Sequence, residues 1–152
     1  MKSISSKRRE ICDAAISWLG TPYQHQAMVK GPQGAVDCAM LIAGIALDVN
    51  LIGEDDIKKI PNYPREWHLH NDDPLLTGIM EGFGCVEKNV KYLHPGDIIV
   101  FKLGRVPSHL GILLENNKMV HAYGGTVGKV AQNELSGKWT DRLVKAYKFP
   151  GV

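Results

Sequence analysis

Three side chains in this sequence have the types and surroundings of a nucleophile and its base: Cys38, His109 and His121. Cys38 follows Asp37, a favoured N-cap, and sits in a run, Val36 to Leu47, that reads as a helix. Cys38, Leu41, Ile42, Ile45 and, just beyond, Val49 recur there at helical spacing. A thiol in a first helical turn meets unsatisfied amide N–H groups and the positive end of the helix dipole, and both favour the thiolate. The expectation is a lowered pKa and a reactive sulfur. A cysteine there is equally a small apolar residue filling a core, so the choice rests on what the rest of the chain brings to it.

His109 and His121 fall on two predicted strands, Ser108 to Leu114 and Lys118 to Tyr123, joined around Glu115-Asn116-Asn117. Register decides whether they can meet. A two-residue Asn-Asn turn pairs Ile112 with His121 and sends the two rings to opposite faces. A three-residue loop, 115–117, with Asn117 left-handed, pairs Leu114 with Lys118 and Gly111 with His121. The imidazoles then share a face, diagonally placed at roughly 7 Å between Cβ atoms, with Gly111 between them. The same register gathers Leu110, Ile112, Leu114, Val120 and Ala122 on the other face as one apolar surface. Both requirements select the three-residue loop. A thiol at a helix start, facing two co-facial imidazoles, is equipped for acyl transfer. His109 would take the thiol proton and return it to the leaving amine, His121 would hold the His109 ring in the useful tautomer, and the Cys38 N–H would donate to the oxyanion.

The elements that must position these residues can be read in chain order. Ser5 or Ser6 caps a first helix with Ile11, Ala15, Trp18 and Leu19 on one stripe, Gly20 as its stop, and Cys12 off the stripe. The breaker-rich stretch Gly20 to Ala27, continuing through Lys30 to Gly34, reads as a loop lining a cleft. Gly53-Glu54-Asp55-Asp56 and the stretch from Pro61 to Pro74 mark a long irregular excursion containing Tyr63-Pro64-Arg65-Glu66-Trp67-His68-Leu69-His70, the pattern of a binding loop or a disordered segment. A short helix is expected over Leu75 to Phe83, with Cys85 at a strand edge. Beyond Pro95-Gly96-Asp97, strands are expected at Ile98 to Leu103, Ser108 to Leu114, Lys118 to Tyr123, more weakly near Val127 to Gln132, and at Leu143 to Phe149. Helices first and an antiparallel meander afterwards make an α+β fold in a single domain, 1–152.

Bulk composition narrows the function classes. With 152 residues, 44% hydrophobic and 22% charged, the chain can bury one proper core. A net charge of +2, with the basic residues scattered apart from Lys7-Arg8-Arg9, gives no reason to expect nucleic acid. No apolar run approaches the roughly 20 residues of a membrane span, so no membrane insertion is expected. The first residues, Met1 to Ser6, lack a hydrophobic signal segment. The chain is therefore expected to be synthesised in the cytoplasm. Cys12, Cys38 and Cys85 form no CxxC pair, which leaves reduced thiols as the default. His68-x-His70, His25 and His94 lack the context of a metal motif, so neither a metal nor another cofactor is expected.

On these residues the chain resembles the NlpC-type cell-wall cysteine peptidases, a papain-like family that cleaves peptidoglycan stem peptides. The matching segments are Trp18-Leu19-Gly20-Thr21-Pro22-Tyr23, Asp37-Cys38 with its apolar helix, Pro95-Gly96-Asp97-Ile98-Ile99-Val100-Phe101, and His109-Leu110-Gly111-Ile112 through Met119-Val120-His121-Ala122. The resemblance implies that Cys38 is the nucleophile, His109 the base and His121 the third polar residue. It makes Tyr23 the tyrosine bordering the cleft, and Asp37 a residue that caps the helix or meets a substrate amine. It also implies a papain-like fold and cleavage at the γ-D-glutamyl bond to a diamino acid. Asp37-Cys38-Ala39-Met40 departs from the family's Asp-Cys-Ser-Gly, and Gln24-His25-Gln26-Ala27 stands where the family has Gly-Gly. Both departures bear on which end of the stem peptide is recognised. The 63–70 stretch is similar to a subset carried by tailed phages and prophages, which implies a virion tail setting and tail-tip proteins as partners. Two alternatives stand beside the peptidase: a structural tail-tip protein with restrained activity, and an amidase or acyltransferase using the same Cys-His machinery.

Overall fold

The computed structural model describes residues 4–60, 73–104, 107–124 and 128–152. Helix α1 (Ser6–Ser17) starts at Ser5, whose hydroxyl accepts the Arg8 N–H, and it buries Ile11, Cys12 and Ala15. Cys12 is inside, not off the stripe, with Sγ 3.8 Å from the Leu113 carbonyl. Leu19 is 37% exposed. The helix ends at Ser17 and Gly20, at φ 87°, turns the chain away, so Leu19 never joins the helical stripe.

Two short strands, β1 (Met28–Val29) and β2 (Ala35–Val36), form an antiparallel hairpin immediately before the cysteine helix. Two residues carry no periodicity, so neither was legible in the sequence. Gly34 is obligatory in this hairpin: a Cβ there would lie 1.8 Å from the Val29 carbonyl oxygen. Helix α2 (Cys38–Asp48) is capped by Asp37, whose Oδ1 accepts the Met40 N–H at 2.8 Å. Rather than one stripe, all of Cys38 to Ala46 is buried. Ala39, Ala43, Gly44 and Ala46 leave room for neighbours on several sides. The Trp18 ring lies so close to Gly44 that a Cβ would come within 2.4 Å of it. Helix α3 (Glu54–Lys58) follows, then α4 (Asp73–Gly82), which buries Ile79 and Met80 with Phe83 just beyond. The stretch from Pro61 to Asp72, including Tyr63 to His70, lies outside the described residues.

The remaining strands build one six-stranded antiparallel sheet: β3 (Val86–Lys88), β4 (Ile98–Lys102), β5 (Pro107–Leu113), β6 (Lys118–Tyr123), β7 (Lys129–Glu134) and β8 (Leu143–Lys148), in the order β3-β8-β4-β5-β6-β7. The predicted β5–β6 register holds. Gly111 pairs with His121, and the Leu114 N–H reaches the Lys118 carbonyl at 2.7 Å. The turn uses two left-handed asparagines, Asn116 (φ 61°) and Asn117 (φ 58°), where one was expected. Asparagine tolerates this region better than most residues.

Alternation along the strands gives the sheet two apolar faces. Ile98, Val100, Leu110, Ile112, Leu114, Val120 and Ala122 join α1 and α2 in the main core. Ile99, Phe101, Leu113 and Met119 join Leu135 and Trp139, the latter on α5 (Lys138–Arg142), in a smaller core on the other face. Asp97, fully buried ahead of β4, accepts from Arg8 at 2.8 Å, from Lys88 at 2.6 Å and from the His94 amide at 2.7 Å.

Candidate active site

His109 and His121 sit on the sheet face that carries Trp139, whereas the body of α2 packs on the other face. Cys38, at the start of α2, meets the sheet at the backbone of β5. The Leu113 N–H and C=O bond toward the β4 side, to Asp97 and Gly96, while the Leu114 N–H bonds toward β6. Alternation then turns the backbone groups of Ser108 and Leu110 toward β6 as well. Pairing between β5 and β6 stops at Gly111 and His121. Beyond that point the thiol takes the place of the missing strand: Cys38 Sγ lies 3.7 Å from the Ser108 carbonyl oxygen, and the Leu110 amide is directed at the sulfur. The two residues that hold the sulfur flank His109.

From His109 a line of short hydrogen bonds runs outward. His109 Nε2 and His121 Nδ1 are 2.7 Å apart, and His121 Nε2 and Asn133 Oδ1 are 2.7 Å apart. Among the described residues, His109 Nδ1 holds no hydrogen bond. Trp139 packs against both imidazoles, with ring centroids 5.6 Å from His109 and 4.9 Å from His121, and Tyr123 stacks on His121 at 5.7 Å. Both imidazoles are buried.

The electrostatics differ from the sequence expectation. Burial pushes the Cys38 thiol up to about 12, and the neighbouring Asp37 charge adds to that. The amides of Leu110, Ala39 and Cys38 pull toward the thiolate but do not win. Burial, helped by His121, holds His109 down at about 3. Burial also lowers His121, against the Asn133 hydrogen bond, with Lys138 adding to the lowering. Both groups rest uncharged, Cys38 as the thiol and His109 as the neutral imidazole. A helix start favours an anion only to the extent that solvent or countercharge helps carry it, and here the sulfur is nearly sealed.

Tyr23 and Asp37 are brought to the same place by backbone. Tyr23 bridges to Val36, two residues before Cys38, and its ring lies over Gly124, where an added Cβ would come within 3.2 Å of it. It is 37% exposed. Asp37 is 2% exposed, and its oxygens accept from the Met40 and Gln26 amides at 2.8 and 2.7 Å. It is the helix cap, and it also ties the Gln24–Ala27 turn to the start of α2. Sequence patterning does not reach Asn133 or Trp139: the weak strand expected near Val127 to Gln132 stops one residue short of Asn133, and α5 is too short to show a period.

Among the described residues, no group of three or more His, Cys, Asp or Glu side chains is placed to hold a metal ion, and no helix is long and apolar enough to cross a membrane. An open groove of about 440 Å³, lined by Glu87, Lys88, Asn89, Val90, Val144 and Lys145, lies at the β3–β8 edge and shares no residue with the site.

Residues 20–148 match the family model of the NlpC/P60 family. Comparison with curated protein sequences gives no match. Among solved structures, the chain is similar to the NlpC/P60 domain of the peptidoglycan hydrolase SagA, with 18% identity, coverage of 93% of this chain and 98% of that one, and a TM-score of 0.62. It is similar to a lipoprotein-like NLP/P60-family protein of Staphylococcus aureus, with 21% identity, 98% and 43% coverage, and a TM-score of 0.61. It is also similar to the peptidoglycan hydrolase RipB of Mycobacterium tuberculosis, with 16% identity, 96% and 67% coverage, and a TM-score of 0.55. The chain spans less than half the length of the staphylococcal protein. At these identities the likeness is one of fold, the papain-like α+β fold of N-terminal helices on a C-terminal antiparallel sheet.

Proposed function

We propose, from the premise that this chain belongs to the NlpC/P60 family, that it is a cell-wall hydrolase in which Cys38 attacks a peptide carbonyl of the peptidoglycan stem. The observation that carries the reading is the sulfur held at the open edge of β5 on either side of His109, with His109 backed by His121 at 2.7 Å. The thiol proton passes to His109 Nδ1 as sulfur bonds to the carbonyl carbon. Moving it creates a thiolate and an imidazolium together, an opposite-charge pair whose attraction is strengthened by the same burial that disfavours either ion alone. His109 then protonates the leaving amine, the C–N bond breaks, and water, deprotonated by His109, releases the acyl group from sulfur. The Cys38 N–H is the first oxyanion donor and Tyr23 borders the cleft.

The finer reading follows the family likeness: cleavage between γ-D-glutamyl and a diamino acid by a phage or prophage tail-associated peptidase, delivered to the wall by the virion, with tail-tip proteins as neighbours. Similarity to SagA and RipB, both peptidoglycan hydrolases, supports the substrate class. One observation favours the restrained tail-scaffold alternative: Ala39 and Met40, buried beside the nucleophile, offer no hydroxyl to a substrate. Digestion of purified sacculi separates the readings. Wild type is expected to release a new amine on the diamino acid, and Cys38→Ala none. A new amine on L-alanine indicates an amidase, and equal release by Cys38→Ala eliminates the proposed nucleophile.

A further inference from the structure

A neutral imidazole has one N–H donor and one bare nitrogen acceptor, so the proton positions along the His109–His121 line are decided by whatever group ends it. That group is Asn133. In the β6–β7 register Asn133 stands opposite Met119 while His121 stands opposite Ala131, which puts Asn133 diagonally beside His121 on the same face. Its Oδ1 lies 2.7 Å from His121 Nε2. An amide oxygen only accepts, so Nε2 must carry the His121 proton. His121 Nδ1 is then bare and can only accept, so the proton between the histidines sits on His109 Nε2. That leaves His109 Nδ1 as a lone pair. Were an N–H donor at the end of the line, each step would reverse: His121 would carry its proton on Nδ1, and His109 would carry its own on Nδ1, unable to accept another.

We propose that Asn133 is a positioning residue: by accepting the His121 Nε2–H it sets both histidine tautomers and keeps His109 Nδ1 free to take the Cys38 proton. The catalytic consequence rests on the proposed hydrolase reading, but the tautomer assignment does not. Among the described residues, the side-chain hydrogen bonds of the two histidines are these two, and Trp139, Tyr123 and Phe101 pack around the rings. Asn133 itself is exposed on the edge strand β7, so it can be replaced without opening a core.

The test reads the protons directly. In protein with 15N-labelled imidazoles, two-bond 1H–15N correlation at pH 7 is expected to show His109 and His121 both as Nε2–H tautomers. Asn133→Leu and Asn133→Ala should give His121 a population of the Nδ1–H form and lower kcat about tenfold or more, within the loss of about 10²–10⁴ expected for removing a general base outright. Asn133→Asp, which keeps an oxygen acceptor, should restore the Nε2–H tautomers and most of the lost rate. An Nδ1–H tautomer for wild-type His121, or unchanged tautomers in both Asn133→Leu and Asn133→Ala, overturns the proposal. The spectra need no substrate. A chain that shows the expected tautomers but leaves sacculi intact refutes the hydrolase reading and not this one.

Discussion

A proton leaving Cys38 has to move between two groups that each resist charge, a thiol pushed up to about 12 and an imidazole held down at about 3. Cys12 and Cys85 are raised as well, to about 11 and about 12, and all three cysteines are 7% exposed. Burial therefore does not distinguish Cys38; its hold on Ser108 and Leu110, the residues on either side of His109, does. Iodoacetamide at pH 7 is expected to label Cys38 about tenfold or more faster than Cys12 or Cys85, as a base assisting the transfer would require. That lead should vanish in His109→Ala. Because the thiol starts protonated, the Cys38 rate should keep rising as pH passes 9. Equal rates at all three cysteines, or a Cys38 rate already flat across neutral pH, would contradict the neutral resting pair. The Asp cap, the cysteine and both histidines were legible from residue type and spacing. The direction of the thiol shift was not, because a helix start can be read from a sequence while the seal formed by β5 around the sulfur depends on a strand 70 residues away.

The β5–β6 hairpin is where one residue of register decides the chemistry. Two demands, a continuous apolar face and two imidazoles on the other, agreed on a three-residue loop, and the observed pairing of Gly111 with His121 is that register. Gly111 also spaces the site. A Cβ there would come 3.2 Å from the Val120 carbonyl oxygen and 3.3 Å from His121 Cβ, so Gly111→Ala must displace His121 by a few tenths of an ångström. Overpacking of this kind costs about 1–3 kcal/mol, and misplacing a base relay lowers rate steeply. Gly111→Ala is expected to stay folded, melt at a lower temperature and lose kcat about tenfold. Unchanged kcat would mean that the His109–His121 spacing is not critical. The elements missed were β1, β2, α3 and α5, all of five residues or fewer, too short to repeat a pattern. α5 matters most, since it carries Trp139 over the histidines.

At the scale of the whole molecule, the helical part and the sheet are joined at the buried Asp97, which binds Arg8 of α1, Lys88 of β3 and the His94 amide. Pro95-Gly96-Asp97 reads in sequence only as a turn before a strand; Arg8 lies 89 residues away, beyond any local pattern. Removing one member of a buried ion cluster strands the others and costs about 3–5 kcal/mol. Asp97→Ala should lower the urea midpoint accordingly, and a change below about 1 kcal/mol would show that the cluster is dispensable. The α+β order was legible because helical and strand periods occupy separate halves of the chain, whereas the approach of the α2 start to the part of β5 beyond its pairing with β6 was not. That approach underlies the central claim, that Cys38 forms a covalent bond to the stem peptide. Acid-quenched single-turnover reactions with purified muropeptides, followed by peptide mapping, test it most directly. The account predicts an acyl thioester on the peptide bearing Cys38, and none on those bearing Cys12 or Cys85. Hydrolysis that proceeds with no adduct on Cys38 and persists in Cys38→Ala would contradict it.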